Sequence, residues 1–367
     1  MSTTSMPRHV LLKAMSFTQF GRIIICSGVL VALLEILAML DQATPILSRH
    51  LGIRGILTYA ILHLPALAVE TMPLAVLIGT LFMLTRMSLS SEMSALRAAG
   101  LSTFGLYKML LPATLAAGML AMIGQYWIVP KSELALATWW NRTDPTADSP
   151  DSPETNILWF RAGPKLVRIG HIAQGGASLR DVTIYHRDTD GLLTGTEHTD
   201  TLHYSDGIWH PTGPKDLTLS SDKSFIRVSD GDSNFPLPAT PRQVIALMFP
   251  QAFFTPGQIG RILHHGAPAS LARATYRMAL FAGLFLPLQM AVVVLLALPV
   301  IYIPPRAGMR NPLPVYALSA GLCYIILQGM ISALGNAGTI SALVATSIGP
   351  LLGCLLGLSW VLRMEER

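Results

Sequence analysis

The sequence predicts a polytopic α-helical membrane protein of six transmembrane helices, three before and three after an inserted all-β, jellyroll-like domain. Three observations carry this. Of the 367 residues 51% are hydrophobic and only 13% are charged, whereas a soluble domain carries roughly a quarter charged residues. Six apolar runs reach the ~20 residues that a helix needs to cross the hydrocarbon core. Between the third and fourth run the pattern changes to short alternating segments bounded by turn residues, the mark of strands.

The runs are Ile23 to Leu40, Leu57 to Leu84, Leu101 to Val129, Met278 to Ile303, Leu313 to Leu334 and Ile340 to Leu362. The Gly335 to Gly338 turn, GNAG, joins the last two as a helical hairpin. The first run is too long for a signal-peptide core and reads as retained. Ahead of it, RHVLLKAMSFTQFGR places Val10, Leu11, Ala14 and Phe17 near helical spacing, as expected of a short helix lying in the membrane interface.

Orientation follows from Lys and Arg in the short connections, which mark the cytoplasmic side. Arg8, Lys13 and Arg22, then Arg86, Arg97 and Lys108, then Arg306 and Arg310, and finally Arg363 and Arg367 all fall on one side. Both termini are therefore expected in the cytoplasm and the β-domain outside it. Arg49, His50 and Arg54 fall on the outer side, against the rule.

The inserted domain, residues 135–265, is flanked by 1–134, which contains the first three spans, and 266–367, which contains the last three. Its strands are expected at ILWF (157), KLVRIG (165), DVTIYH (181), LHYSDGIWH (202), DLTLS (216) and SFIRVS (224). RAGPK, HRDTDG and Asp206-Gly207 are turn chemistry, and an antiparallel meander, a sandwich or an open roll all fit. Residues 144–153, with three prolines and three aspartates, read as a flexible loop. Ile157, Trp159, Val182 and Ile184 alternate along the strands as candidates for an inner apolar face; the same residues would fill any β-core.

Several function classes are excluded or disfavoured. No GxxxxGK[ST] occurs, so the chain supplies no P-loop, and any ATP and Mg would be bound by a partner. GxSxG and HExxH are missing, and His171, His186, His198, His203 and His210 lack ligand spacing, so no catalytic or metal site is expected. Cys26, Cys323 and Cys354 all lie in apolar runs, which offers no disulfide framework to the β-domain. The net charge of +5 hides an asymmetry: residues 131–265 hold 12 Lys+Arg against 15 Asp+Glu, and the remainder 14 against 6. Those cations cluster at span ends rather than on one face, which argues against a nucleic-acid partner.

Polar residues within the first spans are Glu35, Asp41, His63 and Glu70, costly in hydrocarbon unless they face protein or water. They read either as a proton relay or polar cavity wall, or with Asp41 at the interface and Glu35 and Glu70 bonded to neighbouring helices. Gly349, Gly353 and Gly357 share one face of the last span and admit close approach of a helix from the same chain or another.

The connection after the second span reads TRMSLSSEMSALRAAGLSTFGLY. Ser90 or Ser91 is expected to cap a short helix carrying Glu92 and Arg97 and ending near Gly100. Met93, Leu96 and Ala99 form an apolar stripe on it, suited to a partner's groove.

This segment, continuing as SSEMSALRAAGLSTFGLYKMLLPATLAAGMLAMIGQYWIVP, resembles the lipopolysaccharide export permeases, the LptF/LptG (YjgP/YjgQ) family. LDQ at Leu40 to Gln42, the LWF, LVRI and VTIYHRDTDGLLTG strand segments and LPLQMAVVVLLALP in the fourth span extend the resemblance over nearly the whole chain. LDQ looks more like LptG than LptF.

The resemblance implies a permease subunit of an ATP-binding-cassette exporter in the bacterial inner membrane, paired with an LptF-like permease over an LptB-like ATPase dimer. Lipopolysaccharide would pass from the outer leaflet through periplasmic jellyrolls to LptC-like and LptA-like proteins. It assigns ATPase coupling to about residues 88–100, with Ser91, Glu92, Met93, Leu96, Arg97 and Gly100 as candidates. It makes Ile157, Trp159, Val182 and Ile184 candidates for a lipid conduit. After LDQ, where LptG-like relatives have lysines that meet lipid phosphates, this chain has Ala43, Thr44 and Pro45, and Arg49, His50 and Arg54 become the head-group candidates; interfacial anchoring accounts for the same three residues equally. Two further readings stay open, a proton-driven secondary transporter working through Glu35 and Glu70, and a membrane-anchored assembly or signalling module.

Overall fold

The computed structural model describes residues 8–143, 157–188, 190–219, 225–228, 235, 237–248, 254–303 and 311–365. The loop expected at 144–153, and Arg306, Arg310 and Arg367 of the orientation argument, lie outside the described residues. Among the described residues, six helices are long and apolar enough to cross a membrane. The chain divides into two compact units, one of Met1–Asp41, Leu64–Ile128 and Arg277–Arg367, the other of Gln42–His63 and Val129–Tyr276.

In the first unit, α1 (Arg8–Ser48) runs unbroken for 41 residues, which corrects the expectation of a separate N-terminal interfacial helix. The reason is packing. Met15 is buried, and the fully buried Gln19 amide donates to the hydroxyls of Thr80 and Thr114, each at 3.1 Å. Gly79 of α2 (Gly52–Leu89) lets the backbone of α1 approach closely: a Cβ there would lie 3.0 Å from the Ile23 nitrogen.

A short helix, α3 (Glu92–Ala98), precedes α4 (Thr103–Ile123), whose N-cap Ser102 accepts from the Gly105 N–H at 3.0 Å. The third span was expected to stop at Val129, before Pro130. It instead passes through a π-helical turn, Gly124–Ile128, and continues as α5 (Val129–Arg142). Pro130 lies inside this continuous run, where it has no N–H to donate to the preceding turn, and the wide turn before it absorbs the change of register. The Tyr126 hydroxyl of that turn donates to the Leu280 carbonyl, and its ring lies against Gly283.

The second helical triplet is α8 (Arg273–Ala297), extended by a 3₁₀ turn Leu298–Tyr302, then α9 (Leu313–Asn336) and α10 (Ala342–Glu365). Gly349, Gly353 and Gly357 face the chain itself: a Cβ on them would strike Gln328, Tyr324 with Val292, and Leu295 respectively. Of the two partners that the glycine stripe allowed, the same chain is the one it meets.

In the second unit, β1 (Leu158–Ala162), β2 (Lys165–Ile172), β3 (Ser178–Arg187), β4 (Leu193–Ser205), β5 (Ile208–Leu219) and β6 (Phe225–Val228) form one antiparallel sheet in sequential order, the meander among the expected topologies. Ser205 pairs with Ile208 across a two-residue turn in which Asp206 (φ 53°) and Gly207 (φ 84°) both take the left-handed conformation that such hairpins require. β4 begins nine residues before the expected LHYSD run, through Leu193 and the threonine-rich segment after it.

One face of the sheet carries Phe160, Val167, Ile169, Val182, Ile184 and Leu202, all buried, and Phe235, Leu237, Ala239, Val244 and Leu247 join them in one core. Val244 and Leu247 belong to α6 (Pro241–Leu247), whose capping box joins Thr240 and Gln243, and the Trp209 indole donates to the Ala239 carbonyl at 2.7 Å. α7 (Pro256–His265) begins with a second box, Thr255 with Gln258, and ends at Gly266 (φ 66°).

Candidate functional site

The connection between α2 and α3 determines how the coupling candidates are displayed. Ser91 has φ 63° and ψ 2°, and its side chain makes no capping bond; the Ser90 hydroxyl turns back to the Met87 carbonyl at 3.3 Å. Neither serine caps the helix as the sequence led us to expect. A left-handed residue there swings the chain into α3 by backbone conformation instead, and Gly100 (φ 87°) ends the segment.

Met93, the first residue of the expected docking stripe, is 2% exposed and so belongs to the chain's own packing. Leu96 is half-buried, while Glu92, Ala95, Arg97 and Ala99 are exposed. The surface available to a partner is therefore Glu92, Ala95, Leu96 and Ala99, a spacing that keeps them on one side of a helix, with Arg97 beside it. A groove of about 620 Å³ adjoins, lined by Glu92 and Leu96 together with Met15, Arg22, Met83 and Arg86.

The segment is tied at both ends to the 3₁₀ turn after α8. Before α3, the Ser88 hydroxyl donates to the Val300 carbonyl at 3.2 Å. The Arg97 guanidinium lies 4.2 Å from the centroid of the Tyr302 ring. After α3, the Thr103 and Tyr302 hydroxyls are 2.9 Å apart. Tyr302 carried no signal in the sequence, since an aromatic at the end of a span reads as an interfacial anchor.

In the second unit, the three head-group candidates Arg49, His50 and Arg54 separate. Arg49 donates to the Trp140 carbonyl at 2.6 Å and stacks over the Trp140 ring at 4.0 Å. Tyr59 meets Trp140 edge-on at 6.4 Å and His63 at 5.4 Å. His50 (φ 57°) and Arg54 are exposed on either side of the turn into α2. Trp140, itself backed by Tyr59, thus holds a cation that was read as aimed at lipid. The tryptophan pair at 139 and 140 was the visible hint, but its distance from Arg49 in sequence hid the partnership.

The four conduit candidates do not share a face. Val182 and Ile184 pair with Ile169 and Val167 and are fully buried in the core. Trp159 pairs with Arg168, on the opposite face, and is 44% exposed; Ile157 is exposed with it. Placing Ile157 and Trp159 on the inner face is therefore wrong by one residue of register. The outer face also bears a stacked Trp159 and Tyr185, their centroids 5.8 Å apart, and an Arg168 to Asp181 ion pair at 2.7 Å.

Of the intramembrane carboxylates, Glu70 lines a pocket of about 280 Å³ with Gln125, Gln289, Tyr324 and Gln328. Glu35 is not part of its wall and is half-buried on α1; Asp41 is exposed. The glutamines were missed in the sequence because a single neutral amide barely lowers the hydropathy of a span.

Comparison with known proteins agrees with this arrangement. The family described as lipopolysaccharide export system permease LptF/LptG matches residues 15–363. The chain is 22% identical over 353 residues, 95% of either chain, to the lipopolysaccharide export system permease protein LptG of Escherichia coli K12, and equally to that of Escherichia coli O6:H1 strain CFT073. Six membrane helices, a β-sheet unit inserted after the third and a family match spanning both lead to one conclusion: the chain belongs to the LptF/LptG family of lipopolysaccharide export permeases.

Proposed function

We propose that this chain is the LptG-like permease subunit of an ATP-binding-cassette exporter that draws lipopolysaccharide from the inner membrane and passes it toward a periplasmic bridge. The observation that carries the reading is α3, a short helix anchored through Met93 that presents Glu92, Leu96 and Arg97 at the end of two spans. Support for LptG over LptF comes from LDQ at Leu40 to Gln42 and from the named relatives. ATP and Mg bind to an LptB-like ATPase dimer beneath this chain and its LptF-like partner. The termini face the cytoplasm and the sheet unit faces the periplasm, where LptC-like and LptA-like proteins receive the lipid.

ATP-driven closure of the ATPase pair moves α3; the helices narrow the lipid cavity, and the substrate leaves without any bond being made or broken in this chain. Arg54 and His50, exposed near the outer end of α2, contact acidic head groups, while Arg49 holds the turn that presents them.

Co-purification tests the reading. The wild-type chain brings down a stoichiometric soluble ATPase, and Glu92→Ala or Leu96→Asp releases it while the chain still inserts and folds. Retention of the ATPase and of transport by both variants would remove α3 as the coupling element. The proton-driven reading keeps only the pocket at Glu70, since Glu35 stands outside it; it requires transport without ATPase and its loss in Glu70→Gln.

A further inference from the structure

A second groove, of about 930 Å³, runs between α1 and α2 without Glu92 in its wall. Val29, Leu30, Ile78 and Phe82 line its apolar length, and Arg22, Arg86 and Ser90 lie at its mouth. Arg22 immediately precedes the apolar run of α1, and Arg86 closely follows that of α2. Both guanidiniums therefore stand at head-group level at the same end of the membrane helices, with their stems against hydrocarbon.

The geometry points to a binding site for one acidic diacyl phospholipid in the leaflet on the α3 side of the membrane. Length favours a lipid over a helix. At 1.5 Å per residue, Arg22 to Leu30 spans about 12 Å and Ile78 to Ser90 about 18 Å, close to the ~15 Å of a single leaflet and about half of what a spanning helix would need. Charge selects the head group: two guanidiniums with a hydroxyl beside them match a phosphodiester, since guanidinium donates two parallel bonds to its oxygens. Glu92, the nearest carboxylate in sequence, lines the neighbouring groove and not this one. Arg22 and Arg86 also wall that neighbouring groove, beside α3. A lipid phosphate between them sets the charge next to the coupling segment.

Cys26 lies in the groove wall and reports its occupancy. The full-length chain with Cys323→Ser and Cys354→Ser is alkylated with N-ethylmaleimide in detergent supplemented with phosphatidylglycerol, phosphatidylethanolamine, phosphatidylcholine or inorganic phosphate. Phosphatidylglycerol is expected to slow the reaction about tenfold, the effect of ~1.4 kcal/mol of selective binding, and the other three to leave it unchanged. Arg22→Gln with Arg86→Gln should abolish that protection, and Lys13→Gln should not. Val29→Trp keeps both charges but fills the groove; native mass spectrometry should show one retained phosphatidylglycerol on the wild type and none on this variant. Equal protection by phosphatidylethanolamine, undiminished protection in the arginine variant, or a Cys26 already shielded without lipid would each overturn the site, the last by showing that protein covers it.

Discussion

Arg49 lies over Trp140, its guanidinium 4.0 Å from the ring centroid and bonded to the same residue's carbonyl at 2.6 Å. One side chain thus joins the turn after α1 to the end of α5 by two different contacts. Removing it should cost about 2 kcal/mol, from a cation–π contact plus a hydrogen bond to a charged donor. Arg49→Ala is expected to lower the melting temperature in detergent, whereas Arg54→Glu should leave melting unchanged and weaken lipid photocrosslinking. The reverse pattern would return Arg49 to the head-group role.

Met93 and Leu96 belong to one apolar stripe but should fail differently. Met93→Ala opens space in the chain's own packing and is expected to cost about 2–3 kcal/mol of stability, read as earlier thermal aggregation. Leu96→Asp should melt like the wild type and lose ATPase association. Ser91→Gly relieves a left-handed backbone held by a non-glycine residue and should gain up to about 1 kcal/mol, because no capping bond is lost.

Tyr302 holds α3 through Arg97 and the start of α4 through Thr103. Tyr302→Ala is expected to leave the ATPase bound yet uncouple it: basal hydrolysis continues, and stimulation by lipopolysaccharide falls severalfold. Tyr302→Phe keeps the ring and should retain most of the stimulation.

Gly353→Val places a Cβ into the Val292 side chain and 2.9 Å from the Tyr324 ring. Because the clash is within the chain, this variant should lower the yield of folded chain without changing how many subunits the surviving protein assembles. A shifted assembly with normal yield would point to contact between subunits.

Within the sheet unit, Ile184→Asp buries a carboxylate among Val167, Ile169 and Leu202 and should make the unit protease-sensitive. Trp159→Ala, on the other face, should stay resistant. If lipid travels along the face with Trp159 and Tyr185, that variant will lose crosslinking to lipid despite a sound fold.

The six spans were legible because a chain that folds in water rarely sustains such hydrophobicity over the length of a bilayer core, and the strands because alternation ended at glycine and aspartate turns. Two kinds of information were not legible. Register was one: alternation in ILWF shows that Ile157 and Trp159 share a face, but the pairing of Leu158 with Ile169 is what decides which face is covered. Partnership at long range was the other, as in Arg49 with Trp140 and Gln19 with Thr80 and Thr114. The start of β4 escaped because its threonines and glycines resemble loop composition, and its cross-strand pairing with β3 and β5 overrides that weak preference. The helices after Thr240 and Thr255 were missed as well, although a local Thr-Pro-x-Gln pattern starts each of them.

The ties at Ser88, Arg97 and Thr103 give the α3 segment the character of a gear tooth cut from the same block as its shaft. A loop hung on slack would convert an incoming push into its own displacement and stop there. With both flanks fastened to the turn after α8, a stroke of a few ångströms at α3 would pass to that turn with little backlash, and the proposed coupling role would need no large excursion of the segment.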